Sequence, residues 1–439
     1  MTPCSIAIVG GGVLGLYLAH RLRAAGHAPV VFEAAGETGG LAAPADIGAF
    51  RWDRFYHVIS LSDLRTRALI DELGLTDRLR FGTTRTGFYS GGRLYSLSSN
   101  LEFLRFPPLN LFDKARLALT ILNAARIRDG RPLEYIPVEV WLRRWSGDRV
   151  TERIWLPLLR SKLGDNYRLA SASFIWAIIA RMYAARRSGQ KREMFGYLDG
   201  GYELLLSRLR AALEASAIPV RTGVRIDAVR QEGARVAVTS GGAVQNFDHA
   251  VLTLPTFQVA KLVPQLAANE KARLESVVYQ GIVCASLLLR EPLGPYYVTN
   301  ITDPGLPFTG VIEMTALVDR ARFGGHALVY LPRYLAQDDA FWQADDGQVR
   351  AAFLAGLQSM YPTFNPTNIV AFHISRARHV LAVSSLRYSD EALPPVATSL
   401  AGISVVNSAQ IANGTLNVNE TIGVADAALS VLRDRLRVR

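Results

Sequence analysis

Residues 5–9 read Ser-Ile-Ala-Ile-Val, a short apolar run closed by glycines at 10, 11 and 12, and apolar Leu14, Leu18 and Leu22 then recur at every fourth position. The unbroken run predicts a strand covered on both faces, and the spacing of four predicts a helix over 14–25 that Gly26 stops. A second apolar run at 29–33 ends in Glu33. Strand, glycine turn, helix and strand in this order predict one βαβ unit.

Farther on, the pattern over 64–192 is mainly helical, with segments at 64–73, 113–127, 138–145 and 172–184 punctuated by Pro107, Pro108 and Pro132. A second α/β stretch follows: a Gly200-Gly201 turn, a helix to about 215, and strands near 219–221, 224–229, 235–239 and 250–254. Residues 282–379 alternate as strands at 282–289, 296–301, 310–314 and 327–331, then a helix over 345–360 and a strand at 369–374. The chain closes with a strand at 403–406, a polar loop at 407–420 and a helix over 421–436. The expected fold class is α/β with an α+β substrate lobe.

The glycines give the first unit its chemistry. Gly10 permits the tight turn, Gly12 leaves room for a diphosphate against bare backbone, and Gly15 lets helix and strand pack closely. Val13 and Leu14 open the helix, whose free N–H groups and partial positive charge suit an anion. Glu33, followed by Ala34, stands where an acid accepts hydrogen bonds from an adenosine ribose and would repel a 2′-phosphate, which disfavours NADP. FAD and NAD share this half and both stay open at this point.

With 439 residues, 49% of them hydrophobic, the chain is large enough for two or three lobes. Its longest apolar run, 174–180, is far short of the ~18 residues of a membrane span. The net charge of +11 is almost all arginine, lysine occurring only at 114, 162, 191, 261 and 271. Such a charge suits nucleic acid, anionic lipid or an anionic substrate, but no basic block is interleaved with aromatics, which argues against nucleic acid. Cys4 and Cys284 lie in no metal-ligand spacing, so neither a metal site nor a disulfide framework is expected. The glycine motif starts within a few residues of Met1, which leaves no room for a leader and predicts a cytoplasmic protein. Phe174, Ile175, Ile178, Ile179 and Met182 stripe a helix that also carries Arg181, Arg186, Arg187, Lys191 and Arg192. One reading is peripheral membrane contact and the other a domain-packing helix, the second favoured because a core requires the same apolar face.

The segment Glu33-Ala-Ala-Gly36-Glu-Thr-Gly39-Gly40-Leu41 resembles the extended FAD signature of the flavin amine oxidase and protoporphyrinogen oxidase superfamily, with phytoene desaturases and UDP-galactopyranose mutase as relatives. Residues 51–60 (RWDRFYHVIS), 196–201 and 407–429 resemble later motifs of that superfamily in order. The resemblance implies FAD as cofactor, bound by Gly10, Gly12, Val13, Leu14, Gly15, Glu33, Ala34, Gly39, Gly40 and Leu41. It further implies contacts from the backbone of Val224 to the adenine, and from Asn419, Thr421 and Ile422, beside Glu420, at a helix start near the flavin. It divides the chain into an FAD-binding domain in three parts, 1–63, 195–260 and 396–439, a helical insertion at 64–194 and a mixed-sheet substrate domain at 261–395. Two departures stand out: Leu41 occupies a position where many relatives carry arginine, and no lysine falls in a flavin-facing motif, so an amine oxidase proper is not implied.

Tyr56 and His57 lie in the segment that the resemblance places near the flavin, and an imidazole suits proton transfer near neutral pH. Glu313, Tyr330 and Arg333 lie on expected strands of the substrate lobe, where alternation points them either into a cavity or into solvent. The expected activity is hydride transfer from a small organic substrate, lipophilic or anionic, to flavin N5. The alternatives are a redox-neutral mutase similar to UDP-galactopyranose mutase and a flavin-stabilised binding protein without turnover.

Overall fold

In the computed structural model, which describes residues 3–186 and 194–437, the first strand, β1 (Ser5–Val9), is apolar without alternation because both of its faces are covered. Ile6 and Ile8 pack on Leu14, Leu18 and Leu22 of α1 (Val13–Ala24), while Ala7 and Val9 join a second core with Val229, Val236 and Val238. β1 lies parallel to β2 (Ala28–Phe32) on one side and to His249–Leu252 on the other. Val220–Arg221 and Ile403–Val405 complete a five-stranded, wholly parallel sheet. The helices Gly201–Ala215 and Val418–Arg437 cover the α1 face, and an antiparallel meander of Ala228–Glu232, Arg235–Ser240 and Ala243–Phe247 covers the other. This is the doubly covered nucleotide-binding sheet that the sequence predicts.

A seven-stranded mixed sheet forms the second lobe, in the order Ile369–Ala382, Tyr279–Leu289, Ala327–Leu335, Gly310–Glu313, Val298–Ile301, Thr86–Ser90, Arg93–Ser96. Strand alternation gives its two faces different jobs. Val283, Ala285, Leu287, Val329 and Leu331 pack under the helix Asp346–Met360, through Val349, Phe353 and Leu357. Ile282, Cys284, Leu288, Leu328 and Tyr330 face Ile47 and Trp52 of the hairpin Pro44–Ile47 / Phe50–Asp53. The hairpin that follows the nucleotide unit is therefore clamped beneath the substrate sheet.

The helices Leu111–Arg126, Val138–Ser146, Leu156–Leu163 and Ala172–Arg186 share a core that includes Leu117, Trp141, Leu159, Ile175 and Ile179. Three strands, Leu79–Thr83, Thr86–Ser90 and Arg93–Ser96, correct the mainly helical reading of this stretch. The last two form a hairpin through Gly91 and Gly92, whose φ of +61° and +71° match the turn that favours glycine at both central positions. Their apolar positions are too few to show the pairing of Thr86–Ser90 with the distant Val298–Ile301. Phe174, Ile175 and Ile179 are buried in the helical core, and Arg181 is ion-paired with Asp63 at 3.0 Å, so that helix presents a packing face. Arg187, Lys191 and Arg192, with the side chain of Arg186, lie outside the described residues. Among the described residues no helix is long and apolar enough to cross a membrane.

Candidate functional site

At the carboxyl end of β1 the chain turns through Gly10, whose φ is +118° and whose N–H donates to the Phe32 carbonyl at 2.8 Å. A Cβ on Gly15 would stand 1.9 Å from the Gly10 carbonyl oxygen, so helix and turn can meet this closely only at glycine. Gly12 is different, because a Cβ there would meet nothing nearer than Gly40 Cα at 3.9 Å. Gly12 bridges to Gly39, and the Gly39 N–H donates to the Gly11 carbonyl at 2.8 Å. Two glycine turns thus face each other across bare backbone, beside the free amides of the first turn of α1. Val13 and Leu14 turn their side chains into the core and have only backbone to offer a ligand.

Glu33 is half-buried at the end of β2, its Oε2 accepting from Gly11 N–H at 2.7 Å and its Oε1 from Ala35 N–H at 2.8 Å. Its place requires glycine at 11, where a Cβ would lie 2.8 Å from Glu33 Cβ. Gly11 was outside the predicted site, although the run of three glycines signals it. Ala34 is exposed beside the acid, and Leu41 packs on the core under the substrate sheet. Val224 donates its N–H to the Glu33 carbonyl at 2.9 Å, so that N–H is used within the fold.

At the start of the helix Val418–Arg437, Asn419 Oδ1 accepts from the N–H groups of Arg65 at 2.9 Å and Thr66 at 3.4 Å, capping the helix Leu64–Glu72. Thr421 Oγ1 donates to the Asn417 carbonyl, and Ile422 is buried in the core of the nucleotide lobe. These side chains fix the helix start, leaving its position to serve a ligand. It opens on a cavity of about 280 Å³ lined by Asp63, Trp176, Arg181, Asn413 and Thr415, where Asn413 Oδ1 is buried without a hydrogen-bond partner.

Arg54 joins the glycine cradle to the second lobe. Its Nη2 donates to the Gly40 carbonyl at 2.6 Å, and its Nε is buried without a hydrogen-bond partner. Burial lowers its pKa, and among the described residues it makes no ion pair. A partly desolvated cation beside bare backbone suits an anionic group. The residues here therefore fit a dinucleotide diphosphate.

Beyond Arg54, buried Asp53 occupies a junction. Its Oδ1 accepts from Tyr202 N–H at 2.7 Å at the start of the helix Gly201–Ala215, and its carbonyl accepts from Tyr330 Oη at 2.6 Å. Gly201 has to be glycine, since a Cβ there would lie 2.8 Å from Asp53 Oδ1. His57 Nδ1 is 3.7 Å from Asp53 Oδ2 and is buried without a hydrogen-bond partner. Tyr56 Oη is 2.8 Å from Tyr334 Oη, and the Tyr56 and Tyr330 rings are 6.4 Å apart. Burial pushes the phenols of Tyr56 and Tyr330 well above their usual range, so both stay protonated donors. Sequence reasoning missed Asp53, Arg54 and Tyr334.

Register separates the remaining candidates from this cluster. Ile312 pairs with Tyr330 on the face toward the hairpin, whereas Glu313 pairs with Val329 on the face toward the covering helix. Arg333 lies on that same far face, stacked 4.0 Å from the Phe341 ring centroid. Burial raises the Glu313 carboxyl to about 7 from 4.5, against N–H bonds from Leu293 and Gly294 that lower it. The folded chain thus holds this proton more tightly than the unfolded chain. The resulting stabilisation, about 3 kcal/mol, is complete below pH 4.5 and lost as pH rises through about 7. Glu313→Gln should therefore flatten the fall in unfolding free energy between those pH values. Parallel denaturation curves for the two proteins across that range would disprove this account.

Comparison with known proteins places these features in context. Residues 15–403 match the family model of flavin-containing amine oxidoreductases. Coproporphyrinogen III oxidase of Mycobacterium tuberculosis (strain ATCC 25618 / H37Rv) is 30% identical over 299 residues, which is 63% of this chain and 65% of the length of that enzyme. Among solved structures, putrescine oxidase bound to putrescine superposes with a TM-score of 0.75 at 18% identity, over 98% of this chain and 99% of the other. Reduced UDP-galactopyranose mutase superposes with a TM-score of 0.73 at 15% identity, over 98% and 96%. At such identities the two superpositions speak for the fold.

Proposed function

Because the chain belongs to the flavin-containing amine oxidoreductase family, with FAD as its cofactor, we propose that it is an enzyme oxidising a reduced, carboxylate-bearing cyclic substrate of the porphyrinogen type. The observation that carries this reading is the continuity from cradle to cluster: Arg54 touches the Gly40 carbonyl, and its neighbour Asp53 holds Tyr202 and Tyr330 and lies 3.7 Å from His57. Bound FAD would lie against Gly10, Gly12, Gly39 and Gly40, with Glu33 at the ribose and Arg54 near the diphosphate, and its ring supplies a hydride acceptor. His57 would take the proton that leaves with substrate oxidation, and the Asp53 carboxylate would steady the resulting imidazolium. The hydrogen-bonded Tyr56 and Tyr334 pair would orient substrate and exclude water from the reacting carbon. The substrate class is supported by the similarity to a coproporphyrinogen III oxidase and by a net charge of +11, which favours an anionic ligand.

The test is anaerobic titration of the purified yellow protein with coproporphyrinogen III, with putrescine as the contrast. Bleaching of the flavin band by the first and not the second is expected. Bleaching by putrescine alone would overturn the substrate class, and a spectrum unmoved by either would overturn the proposed reaction.

A further inference from the structure

The helix Leu111–Arg126 is apolar on both sides: Leu117 and Ala124 pack in the helical core, and a second apolar stripe faces outward. Asp113, Lys114 and Thr120 are buried, while Leu111 is 73% exposed, Phe112 69%, Leu119 49% and Leu122 43%. The inward polar groups are all satisfied. Asp113 closes a capping box with Asn110 and pairs with Arg149 at 3.2 Å, Lys114 Nζ donates to the Leu104 carbonyl, and Thr120 Oγ1 donates to the Arg116 carbonyl. These bonds help to fix the rotation of the helix and hold Leu111, Phe112, Leu119 and Leu122 in solvent, a cost in water that a second apolar phase would remove. The short helix before it adds Leu101 and Leu104, 55% and 54% exposed, to the same stretch of chain.

Charge identifies the phase. Arg105, Arg126 and Arg128 are exposed on the same stretch, and among the described residues none is ion-paired. Arg116 lies over the Phe112 ring at 5.8 Å. The nearby acids are engaged: Glu102 accepts from Ser98 N–H, Asp113 is buried, and Asp129 accepts from Arg131 N–H. Leucine and phenylalanine with arginines and no unengaged acid match an interface where acyl chains lie beneath anionic headgroups. We propose that Leu111–Arg126, with Leu101 and Leu104, is a docking face for an anionic lipid bilayer. It is separate from the helix Ala172–Arg186, whose Phe174, Ile175 and Ile179 pack in the helical core.

The experiment is flotation of the FAD-loaded protein with vesicles of phosphatidylcholine alone or mixed with phosphatidylglycerol. The wild type should float with the mixed vesicles, and Phe112→Ser/Leu119→Ser should lower that partitioning roughly tenfold or more at unchanged flavin content. As a second measurement that keeps the face apolar, Phe112→Trp should show fluorescence quenching by brominated lipid. Absence of wild-type flotation, flotation equal in the double variant, or an unquenched tryptophan would overturn the proposal. So would a wild-type dimer that the double variant splits, since the face would then belong to a second copy.

Discussion

Glu33→Lys is expected to leave the purified protein nearly colourless. The substitution removes the two hydrogen bonds that hold the turn, from Gly11 and Ala35 N–H, and replaces the carboxylate that would accept from the ribose hydroxyls, at about 1.5–3 kcal/mol for each such bond, with a cation beside the glycine turn. Together these predict FAD binding weaker by about 10²–10⁴-fold. Equilibrium dialysis of the apoprotein against FAD measures it directly. An affinity within a few-fold of wild type would mean that the adenosine half does not lie against this acid.

His57→Ala should produce the complementary result, full flavin with little turnover. The imidazole Nδ1 lies 3.7 Å from the Asp53 carboxylate and, among the described residues, has no hydrogen-bond partner. Losing a general base lowers kcat by about 10²–10⁴-fold, with FAD content and KM little changed. Stopped-flow reduction of the flavin by the substrate reads the step, and an unaltered rate with His57 removed would eliminate it as the proton acceptor. A purely structural histidine would instead lower the melting temperature and leave the rate per bound flavin as it was.

The cofactor unit was legible because its information is local: strand, glycines, helix and terminal acid occur within 33 residues, and each position has its own steric reason. The hairpin Thr86–Ser90 / Arg93–Ser96 carried a local signal too, the Gly91-Gly92 turn, which short polar strands between helices obscured. What local pattern cannot hold is the identity of a distant partner. Asn419 is expected at the cofactor, and nothing near it in sequence tells that its amide oxygen also caps a helix that begins at Leu64. Alternation showed that neighbours on a strand face opposite ways, but not which face of the sheet meets the hairpin, so Glu313 and Tyr330 could not be told apart. Asp53 was overlooked because its meaning comes from Tyr202 and Tyr330, both brought to it by folding.

The parallel sheet that cradles the dinucleotide draws its strands from residues 5–32, 220–252 and 403–405. A ribosome delivers them in that order, so a nascent chain has the glycine turn long before it has the edge strand Ile403–Val405. The substrate sheet, by contrast, has its last strand in hand at Ala382. Completion of the five-stranded sheet is therefore the later event, and the apolar faces that Ile403 and Val405 help to close stay uncovered until then.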